Sequence, residues 1–151
     1  MPTHFQGNPE TIRALDTFIK LTRATESLLA RLSRRGTMGS LSASQFAVLE
    51  ALYHLGPLTQ GQVSAKLLKS TGNLTLVIDN LEKRGHVRRA RENHDRRVVT
   101  IHLTDAGRAL IERLFPAHAA AICDELNLLS VAEQEQLARI CARLGKPRAE
   151  A

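Results

Sequence analysis

Residues 59–103 decide the fold of this chain and read TQGQVSAKLLKSTGNLTLVIDNLEKRGHVRRARENHDRRVVTIHL. Thr59 and Gln62 have the spacing of a capping box, in which two side chains bond each other's backbone N–H at a helix start, and they predict a first helix from Thr59. Ser70 is expected to cap a second helix, because its hydroxyl can accept a hydrogen bond from a backbone N–H two or three residues later. Gly85 predicts the end of that helix. The stretch therefore begins as two helices joined by a short turn.

A basic hairpin follows the second helix. That helix has an apolar period of 3.6 residues, carried by Leu74, Val77, Ile78 and Leu81. Residues 86–89 and 98–103 then have the composition of strands, with the polar residues 92–96 as the turn between them. In the second strand the apolar residues alternate with polar or small ones, at Val99, Ile101 and Leu103. Two helices followed by a hairpin predict a winged helix-turn-helix.

The positive charge of the chain is concentrated on this motif. The whole sequence has 21 Lys+Arg and 15 Asp+Glu, a net charge of +6, and residues 59–108 hold ten of the basic residues but only five of the acidic ones. A charge run often marks only a solvated face, but on a winged helix-turn-helix it is typical of a protein that binds DNA phosphates. Aromatic residues make up 3% of the chain, with no Trp, which argues against stacking on single strands. We therefore expect double-stranded DNA as the partner.

Further helices flank the motif on both sides. A cap followed by proline predicts a long helix over 8–35, and Ser42 is expected to cap a shorter second helix. After the motif, Thr104 is expected to cap a helix in which Pro116 should cause a kink or a break. Ser130 predicts the start of a last helix. The chain is thus mainly α-helical, with a small β-hairpin wing.

These elements predict a single domain over 1–151, made of a DNA-binding lobe and a dimerisation lobe. The winged helix-turn-helix lobe spans 42–103. The helices over 8–35 and 104–146 exceed what such a lobe needs, and their apolar stripes predict a homodimer in which both chain ends interleave. The alternative is that these helices pack only on their own lobe.

Several other classes of protein are disfavoured by the sequence. No apolar signal region and no run near the ~18 apolar residues of a membrane helix are present, so we expect a cytoplasmic protein without membrane association. No nucleophile, phosphate-binding, dinucleotide or zinc-protease motif is present, and the six histidines lack ligand spacing, so we expect no enzyme, metal or cofactor. Cys123 and Cys141 do not form a disulfide scaffold and are expected to be small buried thiols.

Three segments resemble the MarR family of winged helix-turn-helix transcriptional regulators. They are LTLVIDNLEKRGHV at 74–87, DRR at 95–97 and IHLTDAG at 101–107, which are similar to the family's recognition helix, its Asp-x-Arg wing and the start of its fifth helix. The resemblance implies a triangular dimer, most often a repressor of a palindromic operator. It also implies release from DNA by a small, often phenolic or anionic, ligand. No residue is assigned to that ligand from the sequence.

The second helix of the motif is expected to read bases in the major groove with its N-terminal part. The candidate DNA-binding residues on its non-core face are Ser70, Thr71, Asn73, Thr75 and Leu76. Asn73 can hydrogen-bond an adenine edge, and Thr75 or Leu76 can contact a thymine methyl. Two alternatives stay open: Ser70 as a helix cap only, and Leu76 as a core residue.

The wing is expected to read the minor groove. The resemblance aligns Arg97 with the arginine of the Asp-x-Arg pattern, and a planar guanidinium suits a narrow, electronegative groove. Asp95 could brace Arg97 by a bidentate pair, and Arg96 could bind phosphate or share the groove. Asp79 is interpreted as an i,i+4 partner of Lys83. Phosphate contacts or solvated charge are expected of Arg88, Arg89 and Arg91.

Other functions remain as alternatives to ligand-controlled repression. An architectural DNA-binding protein without an inducer would share the fold and the charge, but it would show little preference for one sequence. A redox- or metal-responsive regulator is the third reading. The chain lacks the cysteine near the start of the first helix that similar peroxide sensors use.

Overall fold

The computed structural model describes residues 3–67, 70–91, 95 and 97–146, with only the backbone of Thr71. In chain order its elements are α1 (Pro9–Arg34), α2 (Ala43–Leu55), β1 (Leu58–Thr59), α3 (Gln60–Leu67), α4 (Thr71–Lys83), β2 (Val87–Arg91), β3 (Val99–Leu103), α5 (Asp105–Leu126) and α6 (Val131–Leu144). The predicted fold class, mainly helical with a small wing, is confirmed. The chain divides into two compact units, a winged helix unit of residues 33–118 and a terminal unit of residues 1–32 with 119–151.

The predicted side chains make the helix starts. At α2, Ser42 Oγ accepts a hydrogen bond from Gln45 N at 3.1 Å, while Gln45 Oε1 accepts one from Ser42 N at 3.0 Å. The same exchange joins Thr59 and Gln62 before α3, at 3.2 and 2.8 Å, and a third capping box begins α6. Each box satisfies N–H groups that the first turn of a helix leaves unpaired.

The wing is a three-stranded antiparallel sheet in the order β1-β3-β2. The sequence predicted only the hairpin of β2 and β3, so the third strand, β1, is a correction. β2 and β3 pair along their length, with Val87 opposite Leu103, and β1 adds Leu58 opposite Ile101. Two residues are too few to show the alternation that identifies a strand, so the sequence indicated only the start of α3 there. The predicted alternation in β3 also fails at Val99, which is 37% exposed.

The core of the winged helix unit draws on all of its helices and all three strands. Its largest fully buried side chains include Phe46, Leu49, Leu52, Val63, Leu74, Ile78, Leu81, Val87, Ile101 and Ile111. Leu41, before α2, and Ile111, in α5, belong to the same core. Gly107 of α5 packs so closely on the residue before β2 that a Cβ there would clash with the carbonyl oxygen of His86. This packing, at about 1.5–3 kcal/mol for each buried side chain, holds the motif in one conformation.

The terminal unit has many apolar side chains that are exposed or only half-buried. Among its described residues, only Leu32 and Ala121 are buried apolar side chains. Helix α6 has no buried residue, and its stripe is 41%, 50% and 65% exposed at Leu137, Ile140 and Leu144. An ion pair of 2.5 Å between Arg31 Nε and Glu125 Oε2 links α1 to α5 within the unit.

The structure bears on two expectations for the C-terminal helices. Of the kink or break expected at Pro116, the break does not occur, because α5 continues through it from Asp105 to Leu126 and one missing N–H leaves the other bonds of the helix in place. Cys123 and Cys141 are exposed rather than buried, because no residue that the structure describes covers the helix faces that carry them.

Candidate nucleic-acid interface

Helix α4 has one buried face and one exposed face. The buried face holds Leu74, Ile78 and Leu81, each with no exposed surface. On the other face Asn73 and Thr75 are exposed, and Leu76 is 65% exposed. The alternative that Leu76 belongs to the core is therefore wrong. The start of α4 presents two polar side chains and one apolar side chain to the outside.

The two ends of α4 are formed by the residues that the sequence indicated. Ser70 Oγ accepts a hydrogen bond from the backbone N–H of Asn73 at 3.5 Å and caps the helix. Gly85 follows its last turn with a φ of 75°, a conformation that side-chain-bearing residues rarely adopt. Thr71 is the first residue of α4, and its side chain lies outside the described part of the structure.

A side chain from α3 reaches the exposed face of α4. Gln60 Nε2 donates a hydrogen bond to Thr75 Oγ1 at 2.6 Å. Sequence reasoning identified Thr75 but missed Gln60, because a glutamine in the first turn of a helix has no distinguishing signal. The hydroxyl of Thr75 is thus held by the protein on the face where base contacts were predicted.

Arg89 of β2 is joined to two carboxylates of α4. Its Nη1 lies 2.6 Å from Glu82 Oε2, its Nη2 lies 2.5 Å from Asp79 Oδ1, and its backbone N–H donates to Glu82 Oε1 at 2.9 Å. The hydrogen bond from this backbone N–H is the main cause that lowers the pKa of Glu82. Arg89 is therefore an internal ion-pair partner rather than solvated charge. The predicted pairing of Asp79 with Lys83 is wrong, because β2 folds back along α4 and brings a residue ten positions later within reach.

Arg84 anchors the other end of α4 to the segment before α2. Its Nη2 donates to Ser40 Oγ at 2.8 Å, and its Nη1 donates to Gln45 Oε1 at 3.4 Å. These bonds and the core fix the orientation of α4 within its unit.

The wing turn is ordered by Asp95. Its Oδ1 accepts a hydrogen bond from the backbone N–H of Arg97 at 2.9 Å. The expected bidentate pair between the two side chains is therefore wrong: two residues apart in a turn, a short carboxylate reaches the backbone N–H instead. Both residues are exposed. Arg96 and residues 92–94 lie outside the described residues.

Three arginines of the described residues add exposed positive charge around the motif. Arg88 and Arg91 on β2 are exposed, as is Arg97 in the wing, whereas the charge of Arg89 is balanced by its two carboxylates. Within the described ranges no cluster of three or more His, Cys, Asp or Glu side chains could hold a metal ion. No described helix is both long and apolar enough to cross a membrane. This surface is suited to an extended polyanion.

A helix-turn-helix with one exposed helix face, beside a sheet that carries exposed arginines, defines a winged helix DNA-binding protein. The MarR family profile matches residues 41–99. The HTH-type transcriptional regulator YkoM of Bacillus subtilis is 35% identical over 136 residues, which cover 90% of this chain and 88% of that protein. MhqR, an HTH-type transcriptional regulator of the same organism, is 35% identical over 135 residues, 89% and 93% of the two chains. The chain belongs to the MarR family of DNA-binding transcriptional regulators.

Solved structures agree with this assignment. BpsR of Bordetella bronchiseptica, whose DNA binding is regulated by 6-hydroxynicotinic acid, has a TM-score of 0.78 and 26% sequence identity, with 97% of this chain and 99% of that chain covered. The resemblance to the MarR family is thereby confirmed. Membership in a family of regulators also confirms the prediction that the chain is not an enzyme.

Proposed function

We propose that this chain is a sequence-specific homodimeric repressor that a small aromatic or anionic ligand releases from a palindromic operator. The observation that carries the proposal is the exposed start of α4, where Asn73, Thr75 and Leu76 lie opposite a fully buried face. In helix-turn-helix proteins the N-terminal residues of this helix contact base edges in the major groove. A rigid helix that presents both polar and apolar groups can distinguish base pairs there.

Each residue on α4 has a contact that its chemistry allows. The amide of Asn73 bonds an adenine edge, and Leu76 packs on a thymine methyl, with Thr75 beside them. Ser70 and Thr71 lie at the N-terminal end of the helix, where backbone N–H groups and the helix dipole favour a phosphate.

The wing supplies a second contact, in the minor groove. Arg97 is exposed, and its guanidinium enters the electronegative groove. Asp95 acts on this contact by ordering the turn, since its carboxylate bonds the backbone N–H of Arg97. Arg96 binds phosphate or shares the groove.

The homodimer is supported by the terminal unit. A unit with two buried apolar side chains among its described residues has little core of its own, while Leu137, Ile140 and Leu144 remain exposed along one stripe. Burial of apolar area is worth about 25 cal/mol per Å², so a second copy that covers these helices stabilises both. A two-fold dimer would place two reading helices on a palindromic site.

Control by a ligand is supported by the family and by BpsR, whose DNA binding is regulated by a small hydroxylated aromatic acid. Hydroxylated aromatic acids, beginning with 6-hydroxynicotinic acid, are the compounds to test on this chain. An effector should raise the melting temperature of the free protein and release it from DNA, because it binds the DNA-free form more tightly. A protein that stays on DNA with every acid, metal and oxidant tried would instead fit the inducer-free alternative.

The exposed start of α4, with Asn73, Thr75 and Leu76, is here called the reading face. Its role in DNA recognition is tested by changing two asparagines of that helix. Duplexes selected by the wild-type protein from a random library serve as the probe. Asn73→Ala should cost about 1–3 kcal/mol on the selected duplex and relax preference at particular base pairs. Asn80→Ala, two turns further along the exposed face of α4, is the matched control and should leave both the affinity and the base preference unchanged. Equal binding by both variants would contradict the proposed orientation of α4.

A further inference from the structure

The contact between Gln60 and Thr75 fixes a side chain on the reading face. Gln60 is half-buried at the start of α3, and its amide donates a hydrogen bond of 2.6 Å to the hydroxyl of Thr75, which is exposed on α4. The hydroxyl and methyl groups of threonine are both attached to Cβ and turn together about χ1. A bond that holds the hydroxyl therefore also fixes the direction of the methyl.

We propose that Gln60 is a positioning residue for base recognition. By holding the Thr75 hydroxyl within the protein, it leaves the methyl of Thr75 to contact DNA, next to the exposed Leu76. The two apolar groups form one surface that recognises the C5 methyl of thymine. This inference rests on the proposed function, in which the start of α4 lies in the major groove.

The proposal distinguishes two roles that threonine can have. A free hydroxyl would hydrogen-bond base edges and would contribute equally after a change to serine. A positioned methyl would be lost with serine but kept with valine, which replaces the hydroxyl by a second methyl of nearly the same shape. Thr75→Ser and Thr75→Val therefore separate hydroxyl recognition from methyl recognition.

The experiment uses the duplex selected by the wild-type protein, with thymines replaced one at a time by deoxyuridine, which removes only the C5 methyl. For the wild-type protein, replacement of at least one thymine in each half-site should reduce the affinity for the duplex by about fourfold, the value of a buried methyl group. The loss should persist with Thr75→Val and become smaller with Thr75→Ser, in which only Leu76 still contacts the thymine methyl. Gln60→Ala should reduce this deoxyuridine effect. In combination with Thr75→Val, Gln60→Ala should have no further effect, because no hydroxyl remains to be held.

Several outcomes would overturn the proposal. The deoxyuridine effect could be as large in Thr75→Ser as in the wild type, or Gln60→Ala could leave it unchanged, or no thymine could show it while Asn73→Ala still alters preference. In each case the proposed function would stand and the role of Gln60 would fail. If neither Asn73→Ala nor any thymine replacement matters, the proposed function itself fails. Should Gln60→Ala not fold, as judged by circular dichroism, the pair of Thr75 variants still decides whether the methyl is read.

Discussion

Arg89 and Glu82 are joined twice, by the guanidinium at 2.6 Å and by the backbone N–H of Arg89 at 2.9 Å. Because Glu82 lies in α4 and Arg89 in β2, the pair connects that helix to the wing. The same guanidinium also binds Asp79 at 2.5 Å. Two acids on the helix that we propose to face DNA thus share one arginine, which cancels one of their two negative charges.

Arg89→Ala should weaken DNA binding by roughly tenfold, equivalent to about 1.4 kcal/mol, because two unpaired carboxylates would then repel phosphates. The loss of folding stability should be small, less than about 1 kcal/mol for each ion pair, since the carboxylates are partly exposed to solvent. Affinity by fluorescence anisotropy and stability by urea denaturation measure the two effects separately.

The charge explanation is checked by a rescue experiment. Combining Arg89→Ala with Asp79→Asn and Glu82→Gln removes the repulsion and should restore most of the affinity. If the triple variant binds as poorly as Arg89→Ala alone, the arginine acts on DNA directly or through the geometry of the wing, and not by neutralising the acids.

Arg97→Ala should weaken binding to many sequences and reduce the salt dependence by about one counterion for each wing. Asp95→Ala should cost less, because Arg97 keeps its charge and loses only an ordered turn. Salt titrations with selected and scrambled duplexes measure both effects. Arg139→Ala makes the same charge change on the exposed surface of α6 and serves as the control. A salt slope that Arg97→Ala leaves unchanged would show that the wing does not touch DNA.

Protein stability should fall as the pH drops below about 6.5, through His86. Its Nδ1 is buried with no hydrogen-bond partner in the described structure, and burial lowers the pKa of this imidazole from the ordinary value of 6.5. The unfolded chain then binds a proton at a higher pH than the folded one, so stability is complete above the unfolded pKa and is lost as the pH falls. Melting temperatures at about pH 7.5 and 5.5 test this sign, and His86→Phe should flatten the difference. An equally steep pH dependence in that variant would assign it to another group.

Ile140→Glu should disrupt the dimer by placing a charge in the exposed stripe of α6. Ala142→Glu adds the same charge on the opposite side of that helix and should leave the dimer intact. Removal of the residues after Leu129 should abolish both the dimer and operator binding. Sedimentation equilibrium measures the assembly, and an unchanged dimer after the truncation would place the interface elsewhere.

Signals between residues near in sequence predicted most of this fold. The caps at Ser42, Thr59 and Ser130 each depend on a partner three residues away. The buried stripe of α4 follows from apolar residues that recur about every 3.6 positions. These features are local, so the sequence pattern alone contains them.

Contacts between elements were not predictable in this way. Strand β1 exists only because β3 lies beside it, and Gln60 meets Thr75 only after α3 and α4 have packed. The same holds for Arg89, which helix periodicity could not relate to Asp79 because it lies on a strand. The sequence located the face of α4 that is exposed, and the tertiary structure was needed to show which side chains support it.

Selection of duplexes from a random library by the wild-type protein tests the central claim most directly. We expect enrichment of a palindromic motif with half-sites about one helical turn, roughly 10 base pairs, apart. Affinity for that motif should exceed affinity for random DNA by at least about 10³-fold at physiological salt. No enriched motif, with equal affinity for selected and random duplexes, would contradict sequence-specific repression and would identify an architectural DNA-binding protein.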